Sequence, residues 1–300
     1  MPPSIRASAT TDPARAGAVR AAGFWADTLR RVVRTRAAVV GALIVGAFVA
    51  VALVGPMLAP YDPLKGRLAE RLQAPGAAHW LGTDELGRDI LSRILYGARI
   101  TIQIQVAAVT LALAIGTALG LAAGYGGRWA DLVIMRFMDI LMAFPGIFLA
   151  LAIIAALGTG LVNVVMAAGI YLVPQFARVV RASVLTLKEM EFVQAARALG
   201  HGDVAIVLRY LLPNSLAPII VQTSLRMATV LLTASGLSFL GLGVQPPAPE
   251  WGALLSNARS YMITAPHVAT MPGLAIMLVV LGFNLLGDGL RDSLDPRLRQ

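Results

Sequence analysis

Apolar residues run along this chain in long blocks, and most of the charge is collected in the polar stretches between them. Residues 37–59 and 100–124 contain no Asp, Glu, Lys or Arg. Each is long enough to cross the hydrocarbon of a bilayer as a helix, which takes about 20 residues. Residues 140–177 are uncharged over 38 positions. At 1.5 Å rise per residue one helix of that length would be about 57 Å long, too long for a single crossing. The stretch LGTGLVN, Leu157–Asn163, supplies glycines and a polar flank, so the block is expected to divide there into two spans. The first of these reaches back to about residue 130. A fifth span is expected over roughly 215–240, interrupted only by Arg226, and a sixth over roughly 268–287. The pattern predicts an all-α membrane protein with six transmembrane helices.

Composition agrees with that pattern. The chain is 57% hydrophobic and 14% charged, against about 25% charged in a typical soluble domain. Cysteine is absent, which excludes disulfides, thiolate catalysis and thiolate metal sites. Seven arginines (Arg6, Arg15, Arg20, Arg30, Arg31, Arg34, Arg36) precede the first apolar block. Beside a membrane span, such a basic lead reads as an orientation signal and a contact with anionic lipid rather than with nucleic acid. The polar lead is longer than that of a secretory signal, and the apolar block after it is long enough to span. With the N-terminus placed in the cytosol, 16 Lys and Arg residues fall on the inside and seven on the outside, with Arg136 and Arg226 left within spans. The bias favours cytosolic N- and C-termini.

Few residues offer chemistry of their own. There is no G-x-x-x-x-G-K-[ST] loop, and GYGG at residues 124–127 reads as a turn. The three histidines (His79, His201, His267) are scattered, and no zinc-peptidase motif or serine triad spacing occurs. Arg226 lies about 13 residues beyond Pro213, roughly 20 Å into its helix. It must face the bundle interior or a watery path, either as a structural pair or as a contact to a substrate carboxylate or a neighbouring subunit. Arg136 and Asp139 are three apart and share a helix face, so they are expected to form a local ion pair or to line the path. Pro145 removes a helix hydrogen bond and is a candidate kink. Asp84, Glu85, Arg88 and Asp89 read as a solvated, self-paired helix at the outer interface. QPPAPEWG, residues 245–252, reads as a stiff outer loop with Trp251 suited to the membrane interface.

The polar stretch EFVQAARALGHGDVAIVLRYLLPN, Glu191–Asn214, interrupts the apolar blocks on the expected cytosolic side. Composition alone fits either an amphipathic helix lying on lipid or a helix seated in a partner's groove. Its spacing resembles the signature loop of binding-protein-dependent ABC importer permeases: E-A-A, three residues, G, nine residues, I-x-L-P. Gln194, Ala195 and Ala196 take the first places, with Gln194 in place of the acid. Gly200, Leu212 and Pro213 fall at the matching positions, and Tyr210 replaces the aliphatic residue. LGTDELGRDILSRILYGARI (81–100), FPGIFLALAIIAALG (144–158), LSFLGLGVQPPAPEWGALL (237–255) and FNLLGDGLRDSLDPRLR (283–299) extend the resemblance. They are similar to the second permease subunit of the dipeptide, oligopeptide, glutathione and nickel importers. Many members carry an acid just before GLSFLGLG; Thr233, Ala234 and Ser235 stand here, so no acidic role is assigned.

The resemblance implies a type I ABC importer permease fold. It implies a basic cytosolic segment 1–36, a first helix 37–59, an outer loop 60–99, a five-helix core 100–290 and a cytosolic tail 291–300. The core includes a coupling loop, 183–213. Gln194, Ala195, Ala196, Arg197, Gly200, Leu212 and Pro213 would couple to the ATPases. Ala195, Ala196 and Ala198 supply low bulk and helix propensity, Gly200 a turn, and Pro213 an end or redirection of the chain. The implied partners are a second permease, two ABC ATPases that hold ATP and Mg²⁺, and an extracytoplasmic binding protein, all at the bacterial cytoplasmic membrane. No cofactor or catalytic residue is expected on this chain. The implied cargo is a short peptide, with nickel or another small solute as the alternative. An ATP-independent channel or secondary transporter is the reading from a different class.

Overall fold

The fold comes from a computed structural model that describes residues 32–33 and 35–294. Six of the seven leading arginines, together with Arg297 and Arg299, lie outside the described residues. The described chain is helical. It runs through α1 (Arg36–Leu58), α2 (Ile90–Tyr125), α3 (Gly127–Ala143), α4 (Gly146–Leu157), α5 (Leu161–Leu187), α6 (Glu191–Ala198), α7 (Leu216–Phe239), α8 (Trp251–Ala258) and α9 (His267–Leu294). Five of these are long and apolar enough to cross a membrane, and the bent pair α3–α4 makes a sixth span if counted as one.

Where the helices depart from the expected spans, the cause is local. α2 begins ten residues before the expected start, because Asp89 caps it by accepting from Ser92 N at 2.7 Å. α5 continues ten residues past the uncharged block, carrying Arg178 and Arg181 within a regular helix. At Pro145 the chain breaks rather than kinks, and α3 and α4 meet at 93°. Phe144 (φ −85°, ψ 134°) is extended, as a residue before proline prefers, and Pro145 (φ −56°, ψ 134°) follows it. The division near 157–163 occurs as two glycines with positive φ, Gly158 and Gly160. Asn163 Nδ2 closes it by donating to Leu157 O and Gly158 O at 2.9 and 3.0 Å.

α2 and α5 pack along most of their lengths, and α1, α7 and α9 assemble beside them. Lipid tails are as apolar as leucine, so close packing rather than escape from water holds such helices together. α2 provides it with a stripe of small residues four apart: Ala108, Ala112, Gly116, Gly120 and Gly124. A Cβ on Gly116 would lie 2.5 Å from Phe176 Cβ, and one on Gly124 would lie 2.7 Å from Val184 Cβ. The helices therefore approach as closely as bare backbone allows. One end of the bundle carries residues 59–89 and 240–266; the other carries residues 188–215.

Candidate functional site

At the second end, α6 is a two-turn helix with two unlike faces. Val193 and Ala196 are buried, and Val193 joins Val180, Val184, Ile206, Leu211 and Ile219 in one apolar cluster. Gln194, Ala195, Arg197 and Ala198 are exposed. Spacing of three between the buried positions makes this division, as helical periodicity requires. The helix ends in a Schellman motif: His201 N donates to Ala196 O at 3.1 Å and Gly200 N to Arg197 O at 2.9 Å. Gly200 takes the left-handed position that closes it, at φ +82°. No atom crowds this glycine, so its backbone angle alone selects the residue.

Residues 201–202 leave the helix, and from Asp203 the chain is helical again as far as Asn214, with Ser215 between that run and α7. Pro213 lies inside this run, one residue from its end. Val207–Leu211 widens into a π turn directly before Leu212–Asn214, which relieves the clash between a proline ring and the preceding turn. Asn214 Nδ2 donates to Tyr210 O at 2.6 Å, and Ser215 Oγ donates to Leu211 O at 2.9 Å. The loop is tied to the bundle as well. Tyr125, the last residue of α2, donates its hydroxyl to Asp203 Oδ1 at 2.5 Å, and its ring lies under the Arg197 guanidinium at 5.5 Å. Gln194 Nε2 reaches back to Glu189 O at 3.2 Å. The outward face carries Met190, Phe192, Leu208, Val204 (73% exposed) and Leu199 (79% exposed), interspersed with the exposed charges Glu189, Glu191 and Arg209.

Within the spans, Asp139 does not pair with Arg136 as expected. It accepts from Arg178 Nη2 on α5 at 2.6 Å. One α5 turn away, Arg181 grips Asp131, with Nη2 donating to Oδ2 at 2.6 Å and Nε to Oδ1. Two inter-helix pairs thus fasten α3 to α5. Arg178 and Arg181 lie just beyond the uncharged block 140–177 that set the expected span, and nothing local to Asp131 marks it out. The available signal was that Arg178 and Arg181 are three apart, hence on one helix face. Arg226 is half-buried on α7. With its amide oxygen turned to the guanidinium, Gln222 accepts from Arg226 Nε at 2.9 Å and Nη2 at 3.2 Å.

At the first end, the acidic and basic residues expected as a solvated helix form a buried loop instead. Asp84, Arg88, Asp89 and Arg93 are all buried. Asp84 accepts from Arg88 Nε at 2.7 Å and from the Leu86 and Arg88 amides at 2.9 Å. Arg93 Nη1 donates to Pro63 O at 3.0 Å. His79 Nδ1 lies 2.9 Å from Asp89 Oδ1. Charges this well bonded can leave water, which is why composition misjudged them. Trp251 is likewise buried rather than interfacial. Its ring meets Phe48 at 5.3 Å, and its Nε1 donates to Ile94 O at 3.0 Å. Glu250 caps α8, accepting from Gly252 N and Ala253 N at 2.9 Å, and burial raises its carboxyl above the usual range.

Residues 116–300 match the family described as "binding-protein-dependent transport system inner membrane component". The chain belongs to that family. Residues 23–75 also match the N-terminal transmembrane domain of oligopeptide transport permease C. This permease is 49% identical over 275 residues to the dipeptide transport system permease protein DppC of Alkalihalophilus pseudofirmus, covering 92% of this chain and 90% of that one. It is 50% identical over 276 residues to the glutathione transport system permease protein GsiD of Pectobacterium atrosepticum, covering 92% of each. Among solved structures, the MetNI methionine ABC transporter matches with TM-score 0.54 at 19% identity, over 67% of this chain and 96% of that one. An amino acid ABC transporter determined with histidines matches with TM-score 0.51 at 17% identity, over 67% and 94%. These two likenesses give the fold, that of type I ABC importer permeases. The family resemblance read from residues 194–213 therefore holds for the chain as a whole, which is a multi-pass membrane permease.

Proposed function

We propose that this permease is one of two membrane subunits of an ATP-driven importer of short peptides in the bacterial cytoplasmic membrane. The loop end faces the cytosol, with both chain termini, and the end holding residues 59–89 faces outward. α6 and the helical run 203–214 seat in grooves of two ABC ATPases, which bind ATP and Mg²⁺. A binding protein delivers the cargo outside, and the second permease completes the path. Similarity to permeases named for dipeptides and for glutathione supports a small peptide-like cargo.

The observation that carries the reading is the outward face of the loop. Leu199 and Val204 are exposed on a segment whose other face is fixed to the bundle. An apolar patch on a rigid mount fits a protein groove, which buries it, better than open cytosol. A helix lying on lipid would keep the same patch, so the test separates the two. Single cysteines at Ala195 and Leu199 should cross-link to the ATPase subunits and change efficiency with ATP. Cross-linking to neither ATPase, with both positions accessible only to lipid-soluble reagents, overturns the proposal.

A further inference from the structure

We infer that α3 and α5 present a water-facing cationic wall on which Arg136 receives the carboxylate of the transported solute. The inference rests on the importer reading above and names a solute contact within the spans.

The wall is built from charge that the chain does not cancel. Arg128, Asp131, Arg136 and Asp139 lie along α3, and Arg178 and Arg181 along α5. Both aspartates are consumed across the helix pair, Asp131 by Arg181 and Asp139 by Arg178. Arg128 and Arg136 are left without an acidic partner among the described residues. Arg136 is exposed and opens into a cleft lined also by Leu132, Met135 and Arg181. It stands nine residues inside α3, about 14 Å from the helix start. A guanidinium at that depth is strongly disfavoured against lipid tails, so it meets water or protein. Arg226 is the useful contrast: it is half-buried and bonded to Gln222, hence accounted for within its own helix.

The ligand class follows from the chemistry. A guanidinium with free donors takes a carboxylate in a two-pronged, charge-assisted bond. Leu132 and Met135 beside it offer apolar contact to a short side chain. Asp139 sits one turn away, yet Arg178 holds it, so the carboxylate of a passing solute meets no neutralised site. The terminal carboxylate of a short peptide has the required charge and size.

The chain contains no cysteine, so Leu132→Cys reports on this cleft directly. In vesicles carrying the complete importer, an anionic sulfonatoethyl thiosulfonate and a cationic trimethylammonium analogue are compared at that position. Each rate is scaled to the same reagent's rate with a free thiol. The anion should react faster by about tenfold, the size of bias a local field of one sign produces, and Arg136→Gln should remove most of that bias. In the otherwise native chain, Arg136→Gln should also slow uptake of a peptide with a free terminal carboxylate several-fold, without slowing its amide. Labelling by neither reagent means that lipid or the second permease covers the cleft, and it overturns the inference. So does a bias, or an uptake ratio, that Arg136→Gln leaves unchanged. ATPase co-purification is scored in the same preparations. Its absence from the native chain sinks the importer reading, whereas the labelling bias speaks to Arg136 alone.

Discussion

The two ends of this bundle differ in what they do with charge. At the end holding residues 59–89, charged side chains are inside: Asp84, Arg88, Asp89 and Arg93 are buried and bonded to one another or to backbone. At the loop end, apolar side chains are outside: Leu199, Val204 and Leu208 face away from the bundle. A buried charge network holds one geometry, because each member left unpaired is costly. An exposed apolar patch on a fixed mount is open to a second surface. Under the function proposed above, the first end serves as a scaffold and the second as a joint.

The sharpest break in that contrast is Asp84→Ala. It leaves Arg88 and Arg93 buried without their shared carboxylate, at a cost of about 3–5 kcal/mol. Thermal unfolding of the detergent-solubilised protein should show the loss. A shift like that of a surface substitution would mean that the outer end is not held by charge. Leu199→Asp should do the reverse, leaving unfolding within about 0.5 kcal/mol of the parent. It should weaken ATPase co-purification by about tenfold, in the range expected for a central interface residue. Gly200→Ala is intermediate in kind. Its left-handed backbone costs a residue with a Cβ about 1–2 kcal/mol, and with no neighbour to clash the penalty should appear as local hydrogen exchange across 196–201.

Glu250 gives a smaller, pH-dependent test at the outer end. Burial raises its carboxyl above the ordinary 4.5, so the folded state holds a proton that the unfolded state has released. Its contribution to stability is therefore full below 4.5 and is lost as pH climbs towards the raised value. Glu250→Gln should flatten that part of the profile of melting temperature against pH. Smallest of all should be Gln194→Glu, which restores the acid usual in the loop motif. Gln194 makes one exposed bond to Glu189 O, so unfolding should move by less than about 0.5 kcal/mol. A large gain in ATPase binding would show that charge, rather than shape, sets the joint.

Much of this was legible in the chain. The spans α1 and α9 follow from uncharged length, α7 from an apolar stretch broken only by Arg226, and the turn at Gly200 from the motif spacing. The start of α2 and the end of α5 were hidden because a charge-free window stops at an arginine. At α2 it stopped at Arg99, an exposed residue on a helix already capped by Asp89; at α5 it stopped at Arg178, although Arg178 and Arg181 pair with Asp139 and Asp131, remote in sequence. The same blindness assigned Asp139 to Arg136, its neighbour on the helix, rather than to a helix 39 residues on. Pro213 is accommodated by the wider turn ahead of it, and the run ends one residue later at Asn214. Trp251 misled because its indole N–H found a buried carbonyl. For Asp139, Arg178, Arg181 and Trp251 the local rule was sound, and a tertiary contact supplied what the rule counted as missing.

The 36 residues of α2 make an unbroken rod of about 54 Å. One tip is planted among the bonded charges around Asp89, and at the other Tyr125 clasps Asp203. Flush seating along α5 stiffens the shaft against bending. If the loop is the joint proposed above, a tug on it would reach the other end of the bundle as tilt, without any side chain having to relay it.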